Sequence, residues 1–499
     1  MCLKLVQGVR QAGVRQRPWG GNLRGASDRT LGWTPHDRKH PMPLSQPTLL
    51  LPLLGRKELT VDFDGGELSS DGGWLLLALA DRKLRLTERL AEVIEDGRDP
   101  DRLTHPLEAL LKQRIYQIAQ GYADQNDAQS LRRDPVLKVA VGRAPGAADL
   151  ASQPSFSRLE NRITAEELER LEWLLQDLFV EQCGPAPQRI VLDFDPYDDP
   201  AHGQQQGVLF NGYYDEHCYL PLLVCGTVDT GPQRLVGVVL RDGKAPPTEE
   251  ATGFLQDVVT AIRGVYPDVE IIVRGDGGYG VPEMLEACQA QDVRFCFGKA
   301  RNSVLLRLAA GAQARAEQAE ALREARGRRR RALRSFDDFE YRAGDWKRAE
   351  RVVVKWEITH GSPNPRFFVT DLPEAQGWTP HRVHTFYCER GDRENRIKEF
   401  KLAMAGDRLS CSTFLANQFR LILHGAAYLL YQELQGAIRA QAPQEELAKA
   451  QVETLRSRFM KVAARVQERC RVVRIHLCTS FPYQALWRKL AAGLLAAVT

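Results

Sequence analysis

No apolar run in the 499 residues approaches the roughly 18–20 needed to cross a bilayer; the best, such as residues 219–226, sit in strand-like contexts. The N-terminus lacks a compact apolar segment with a small-residue cleavage site, so neither a membrane-spanning nor a secreted chain is expected. The ten cysteines are scattered, with no CxxC pair and no Cys/His finger spacing. That excludes a disulfide framework and a structural zinc site, and it predicts reduced, mostly buried thiols in a cytoplasmic protein. Charge of one sign is missing too. Residues 1–41 hold eight Lys/Arg against two Asp/Glu, and the rest of the chain carries 60 basic and 62 acidic residues. Affinity for nucleic acid must therefore come from local clusters. What remains, 43% hydrophobic and 26% charged, is ordinary for a globular chain of two to four domains.

Residues 1–41 show neither helical nor strand periodicity and read as a disordered basic extension. Residues 42–185 are mostly helical in pattern, with runs over 74–141 and 164–182, and end at the linker Gly184-Pro185-Ala186-Pro187. The texture then changes. Strands are predicted at 189–195, 218–228 and 234–243, a helix at 248–263 with Glu249 and Glu250 in its first turn, a strand at 269–276, a helix at 281–291 and a strand at 293–299. This order argues for an α/β (α+β) fold, a mixed sheet with helices on its faces, over residues 186–310. Residues 311–375 form a charged, arginine-rich helix (predicted over 303–334) followed by a β-rich insertion with strands at 339–343, 351–359 and 366–372. Residues 376–440 return to the core, helical from about Phe386, and 441–499 are a helical and basic C-terminal region.

Three acids stand out. Asp193 and Asp195 share one face of the strand RIVLDFD, and VEIIVRGD ends at Asp276 ahead of Gly277-Gly278. Carboxylates at adjacent strand ends suit a hard divalent cation, although a helix-capping Asp276 and a turn-starting Asp195 would look the same. Along FYCERGDRENRIKEFKLA, about 100° per residue puts Tyr387, Arg390, Glu394 and Lys401 on one stripe about 60° wide. One carboxylate flanked by cations and an aromatic ring fits a metal ligand beside a phosphate backbone.

The spacing Tyr387-(2)-Arg390-(3)-Glu394-(6)-Lys401 resembles the Tyr-Arg-Glu-Lys signature of DDE-type insertion-sequence transposases. The segments LDFDPYDDPAHGQQ, FNGYYDEHCYLPL, VRGDGGYG and GYADQNDAQSLRRDP look like the family called insertion sequence thirteen-eighty, over roughly Lys57 to the C-terminus. The resemblance implies an RNase H-like catalytic core, split by the β-rich insertion, with Asp195, Asp276 and Glu394 as the catalytic triad holding two Mg²⁺ or Mn²⁺ ions. Tyr387, Arg390 and Lys401 would hold transposon-end DNA. Asp193 competes with Asp195 for the first place, and Asp195 is favoured because it lies at the strand end. Where relatives have a small residue and then Thr or Val after the first acid, this chain has Pro196-Tyr197. The implied activity is cut-and-paste transposition of a bacterial insertion sequence. Its partners are terminal inverted repeats, target DNA and a second copy in the synaptic complex. The alternatives are a metal-dependent nuclease on the same fold and an inactive end-binding remnant.

Weaker expectations complete the reading. Arg328 and Arg330, in the cluster 323–334, are candidate DNA clamps, and Arg114, Arg132 and Arg133 could hold the repeats. His202 could sit beside the metal or shape a turn, and Lys299 and Arg301 could contact phosphate. RCRVVRIHL (469–477) suggests a strand with a cationic face, and the apolar face of 427–438 reads as core or subunit contact rather than a cofactor site.

Overall fold

The computed structural model describes residues 49–50, 59–62, 64–325, 333–359, 362–390 and 396–497. Residues 1–64 and 65–499 form two units. In the first, Leu49–Leu50 pairs antiparallel with Thr60–Val61.

The second unit opens with helices whose apolar residues recur at helical spacing. In α1 (Leu107–Ala119), Leu107, Leu110, Leu111, Ile115 and Ile118 are all buried. After α2 (Gln153–Asn161), α3 (Ala165–Glu181) begins with a reciprocal cap. Glu167 N donates to Thr164 Oγ1 (3.2 Å), and Thr164 N donates to Glu167 Oε2 (2.9 Å).

The central sheet starts after the Gly-Pro linker. Its strands are β1 (Arg189–Pro196), β2 (Leu222–Val228), β3 (Arg234–Val239), β4 (Glu270–Gly275), β5 (Arg294–Lys299), β6 (Leu333–Tyr341), β7 (Glu350–Thr359) and β8 (Arg366–Thr370). Across the sheet they run β6-β7-β8-β5-β4-β1-β2-β3. β4 is parallel to both β1 and β5; the other pairs on this path are antiparallel. Helices α4 (Ala251–Val265) and α5 (Pro282–Ala290) make the crossovers that the parallel pairs require. β6, β7 and β8 extend this same sheet, because β8 pairs with β5.

Three of the remaining helices matter here: α6 (Ala310–Ala325), α7 (Pro380–Cys388) and the 28-residue α8 (Phe414–Gln441). α7 covers the sheet face bearing Val191, Ile272, Val353 and Phe368. α8 is buried nearly all round and joins the helical region to the sheet, as expected for residues 427–438. Its amides also close the sheet edge: Leu235 N donates to Gln432 Oε1 (2.9 Å) and Leu240 N to Gln418 Oε1 (2.5 Å).

Several boundaries differ from expectation. The strand expected at 218–228 breaks at Pro221 into Glu216–Tyr219 and β2, since proline cannot donate to the ladder. The helix expected from 248 begins at Ala251, with Glu250 at φ 61°, so Glu249 and Glu250 precede its first turn. The charged helix ends by Ala325 in its described part, and Arg334 lies on β6. There the nine-residue pairing with β7 overrides helix propensity, and Arg334 Nε donates to Glu357 Oε1 (2.7 Å). Arg328 and Arg330 lie outside the described residues. Where one strand is expected over 469–477, the chain turns at 470–471, and Ala464–Arg469 pairs with Val472–Leu477 as a hairpin.

Candidate active site

The site grows from two neighbouring strands. Arg274 of β4 pairs with Asp193 of β1, and Gly275 with Phe194, so Asp276 follows beside Asp195 at the shared C-terminal end. The two rows behave differently. Arg274 Nε donates to Asp193 Oδ1 at 2.9 Å, and both side chains are only 1% exposed. The same guanidinium lies over the Phe386 ring (4.2 Å) and donates to the Phe386 carbonyl, which pins α7 to the strands. Burial lowers the Arg274 pKa to about 10, still well above neutrality. Asp193 is thus engaged by a buried cation, one pair of residues below the strand ends.

Asp195 lies one step closer to solvent and is 5% exposed. Its Oδ1 accepts two bonds from Arg390, from Nε at 3.0 Å and from a terminal nitrogen at 2.7 Å. Burial pushes its carboxyl up to about 6; Arg390 opposes the rise, and the neighbouring charge of Asp276 adds to it. Asp276 is half-buried, and its Oδ1 accepts from Gly278 N at 2.8 Å, a local turn that holds the carboxylate at the strand end.

Tyr387 comes from the last turn of α7. Its ring packs on Phe368, with centroids 4.5 Å apart, and Arg390 lies 5.9 Å from its centroid. Its hydroxyl sits over Gly298 of β5, where a Cβ would come within 2.8 Å of the oxygen and 3.0 Å of Gly277 N, so a larger residue there would have to displace the hydroxyl. Burial pushes the phenol up to about 12, with the charges of Asp276 and Asp195 among the smaller causes, so it stays protonated at neutral pH. Such a hydroxyl donates hydrogen bonds and is a poor nucleophile.

The helical stripe needs correction. α7 ends at Cys388, Arg390 N turns back to Tyr387 O (3.0 Å), and Glu399–Ala403 is a π-helix, so the angles do not run at 100° from Tyr387 to Lys401. Gly391, a weak helix former, follows at once in the sequence. Arg390 still reaches Asp195 and lies beside the Tyr387 ring. Lys401 reaches a neighbouring point, donating to the Asp198 carbonyl (2.8 Å) and to Asp198 Oδ2 (3.1 Å). Glu394 lies outside the described residues.

Asp195 and Asp276 offer hard oxygen donors, and the burial cost on Asp195 is what a divalent cation would relieve, so the described residues fit such an ion in kind. Among them no group of three His, Cys, Asp or Glu side chains gathers to hold a metal.

A family model described as transposase DDE domain group 1 matches residues 51–499. The chain belongs to this family. No curated protein is similar to it at a significant level. Membership makes the chain a transposase-family protein whose relatives act on DNA with divalent metal ions, and it places the converging acids within the matched span. Among the described residues no helix is long and apolar enough to cross a membrane.

Other expected contacts are elsewhere. Arg114 is fully buried, donating to Glu160 Oε1 (3.4 Å) and to the Ala123 carbonyl (2.8 Å), so it cannot touch DNA. A cation in an apolar helix pattern is costly to bury alone, and Glu160 on the neighbouring α2 supplies its partner. Arg132 and Arg133 both pair with Asp149 at 3.3 Å. Lys299 Nζ donates to the Gly280 carbonyl (2.7 Å) and lies 4.7 Å from the Trp346 centroid, whereas Arg301 is exposed. His202 is exposed. All nine described cysteines are unpaired thiols, six of them buried.

Sequence reasoning missed Asp199. It is 1% exposed and has no hydrogen-bond partner for either oxygen among the described residues. Burial, with the charge of Asp407 next, pushes its carboxyl up to about 8, so it stays protonated at neutral pH. The adjacent pair Asp198-Asp199 was the signal; only the fold separates an ion-paired member from a neutral one.

Proposed function

We propose that the chain cuts the terminal inverted repeats of a bacterial insertion sequence and joins the freed ends to target DNA. The carrying observation is that Asp195 and Asp276 end adjacent parallel strands, with Arg390 donating to Asp195 and lying beside the Tyr387 ring, within a chain of the transposase DDE family. The strand order β3-β2-β1-β4-β5, with β1, β4 and β5 parallel, supports an RNase H-like core, and β6, β7 and β8 are the β-rich insertion. The Tyr-Arg-Glu-Lys spacing supports the insertion sequence thirteen-eighty family.

Asp195, Asp276 and Glu394 would hold two Mg²⁺ or Mn²⁺ ions, which when bound activate the attacking oxygen and stabilise the leaving one in an in-line displacement. The chain's own residues bind and orient. Arg390 neutralises Asp195 in the absence of DNA and passes its planar fork to a phosphate oxygen of the bound end. The protonated Tyr387 hydroxyl donates to the same phosphate, and Lys401, released from Asp198, neutralises the next one. Water is the first nucleophile and the freed 3′-OH the second, so no covalent link to Tyr387 forms.

The test is cleavage of a duplex carrying the element's repeat boundary with Mg²⁺ or Mn²⁺, comparing wild type with Asp276→Asn and Glu394→Gln. Each variant should lose roughly 10³-fold or more in nicking while binding the duplex within about twofold, because each ligand supports several kcal/mol of transition-state stabilisation. Nicking that survives both substitutions sinks the triad. Specific binding without cleavage by wild type means an end-binding remnant, and cleavage without joining means a nuclease.

A further inference from the structure

A cleft of about 1040 Å³ opens along the segment that follows the Asp195 strand, lined by none of Asp195, Asp276, Tyr387, Arg390 and Lys401. Its three walls come from different parts of the chain. One is the segment 200–205, which follows the strand carrying Asp195. The second is 407–412, which follows Lys401. The third is the N-terminal helical region around residues 123–126 and 153–161. The first two walls are tied together just before they begin, by Tyr197 Oη donating to the Gly406 carbonyl (2.8 Å) and by Lys401 on Asp198. The floor is equally fixed: Arg420 donates to Glu160 Oε2 at 2.9 and 2.6 Å and to Ser410 Oγ at 2.6 Å. A ligand entering here meets a preformed surface.

The chemistry of the lining is specific. Six of its side chains are amides: Gln125, Asn126, Gln153, Asn161, Gln204 and Gln205. Several are held by one atom. Gln205 Nε2 donates to the Leu409 carbonyl (2.9 Å), Asn161 Nδ2 to the Ser157 carbonyl (2.7 Å), and Gln153 Nε2 to Gln125 Oε1 (3.3 Å). Gln205 Oε1 is buried and has no partner among the described residues. The charged lining is balanced, two carboxylates against two guanidiniums, with Arg420 already engaged by Glu160. Such a surface is poor at following phosphates, which calls for net positive charge, and good at pairing with donor and acceptor edges. Asn and Gln are the side chains that read adenine in two-bond fashion. The volume, at the upper end of the roughly 300–1,000 Å³ of pockets for drug-sized ligands, leaves room for more than one base.

We propose that this amide-lined cleft is a base-reading site, which receives nucleobase edges of the DNA whose backbone lies across Asp195 and Asp276. The inference rests on the DNA-end reading above and deepens it: Arg390 and Lys401 position the strand, and the cleft supplies sequence preference next to the cut.

The experiment is selection of bound duplexes from a randomised DNA library by the full chain, wild type against the exposed triple variant Asn126→Ala/Asn161→Ala/Gln204→Ala. Gln205→Leu serves as a second, single-site variant, and circular dichroism checks that both fold. Wild type should enrich a motif. The triple variant should lose that preference by roughly tenfold or more at one or more positions while keeping its affinity for unselected DNA and its salt slope. Gln205→Leu should relax a subset of the same positions. Unchanged enrichment of the same motif by both folded variants overturns the cleft assignment and leaves the end-binding reading standing. Equal weakening toward every sequence also overturns it, since that is the mark of backbone contact. If wild type binds no DNA, the proposed function falls and this inference with it.

Discussion

Arg274 and Asp193 form an ion pair buried to 1% exposure on each side, and the guanidinium also carries α7 on its far face. Removing one partner leaves an uncompensated charge in a dry interior, which costs about 3–5 kcal/mol, whereas replacing both with apolar groups is often near neutral. Arg274→Met should therefore lower Tm strongly, and Arg274→Met combined with Asp193→Leu should recover much of the loss in thermal unfolding. A double variant no more stable than the single would mean that the bond to the Phe386 carbonyl matters more than the ion pair. Lys401 makes a different claim at the same scale. Its partners, the Asp198 carbonyl and carboxylate, are partly exposed and exchangeable, so Lys401→Ala should leave stability nearly unchanged. It should weaken binding to the repeat duplex and reduce the slope of log K against log salt by roughly 0.9; an unchanged slope would remove Lys401 from the phosphate contacts.

At the scale of elements, α3 and α8 meet through Gln418, whose amide donates to Glu172 Oε1 at 2.5 Å. Burial raises the Glu172 carboxyl from its ordinary 4.5 to about 8; the Gln418 bond opposes the rise and the nearby charge of Glu250 adds to it. The folded state thus prefers the protonated acid, while the unfolded chain ionises above about 4.5. The favourable contribution is fully present below that pH and is lost as pH rises toward about 8. Glu172→Gln keeps an acceptor for Gln418 and removes the proton. Its Tm should exceed that of wild type at pH 8 and fall less steeply between pH 5 and 8. Parallel melting curves for the two proteins across that range would show that the side chain ionises freely in the fold. The same scale explains the misread stripe. The turn at Arg390 and the π-helix at Glu399–Ala403 each shift the helical phase, yet Tyr387 and Arg390 converge because α7 is anchored on Arg274 and Phe368.

For the whole molecule, one chain carries one Asp195–Asp276 pair, whereas an element has two ends to be held at once. Light scattering of the chain mixed with repeat duplex and Ca²⁺, a cation that binds oxygen ligands, should give two chains with two duplexes; a stable one-to-one complex under all mixing ratios would argue against pairing of ends. Much of this architecture is legible in the sequence. β1, β4, β5, β7 and β8 fall close to where apolar, β-branched runs predict them, because each run is short, continuous and bounded by Gly, Pro or charged residues. Asp195 and Asp276 are legible as acids that end apolar strands, but a turn places acids there too, and Asp276 does accept from Gly278 N. What only the tertiary structure decides are the pairings between residues far apart in the chain. Arg114 has the same sequence signature as a surface cation until Glu160 is found beside it, and the cations that separate Asp193 from Asp195, Arg274 on one and Arg390 on the other, are far away in the chain. The protonation of Asp199 and the amide cleft likewise depend on which distant segments exclude water from them. Local pattern sets which residues can be buried, but the partner that makes burying a charge tolerable is chosen by the packing of elements.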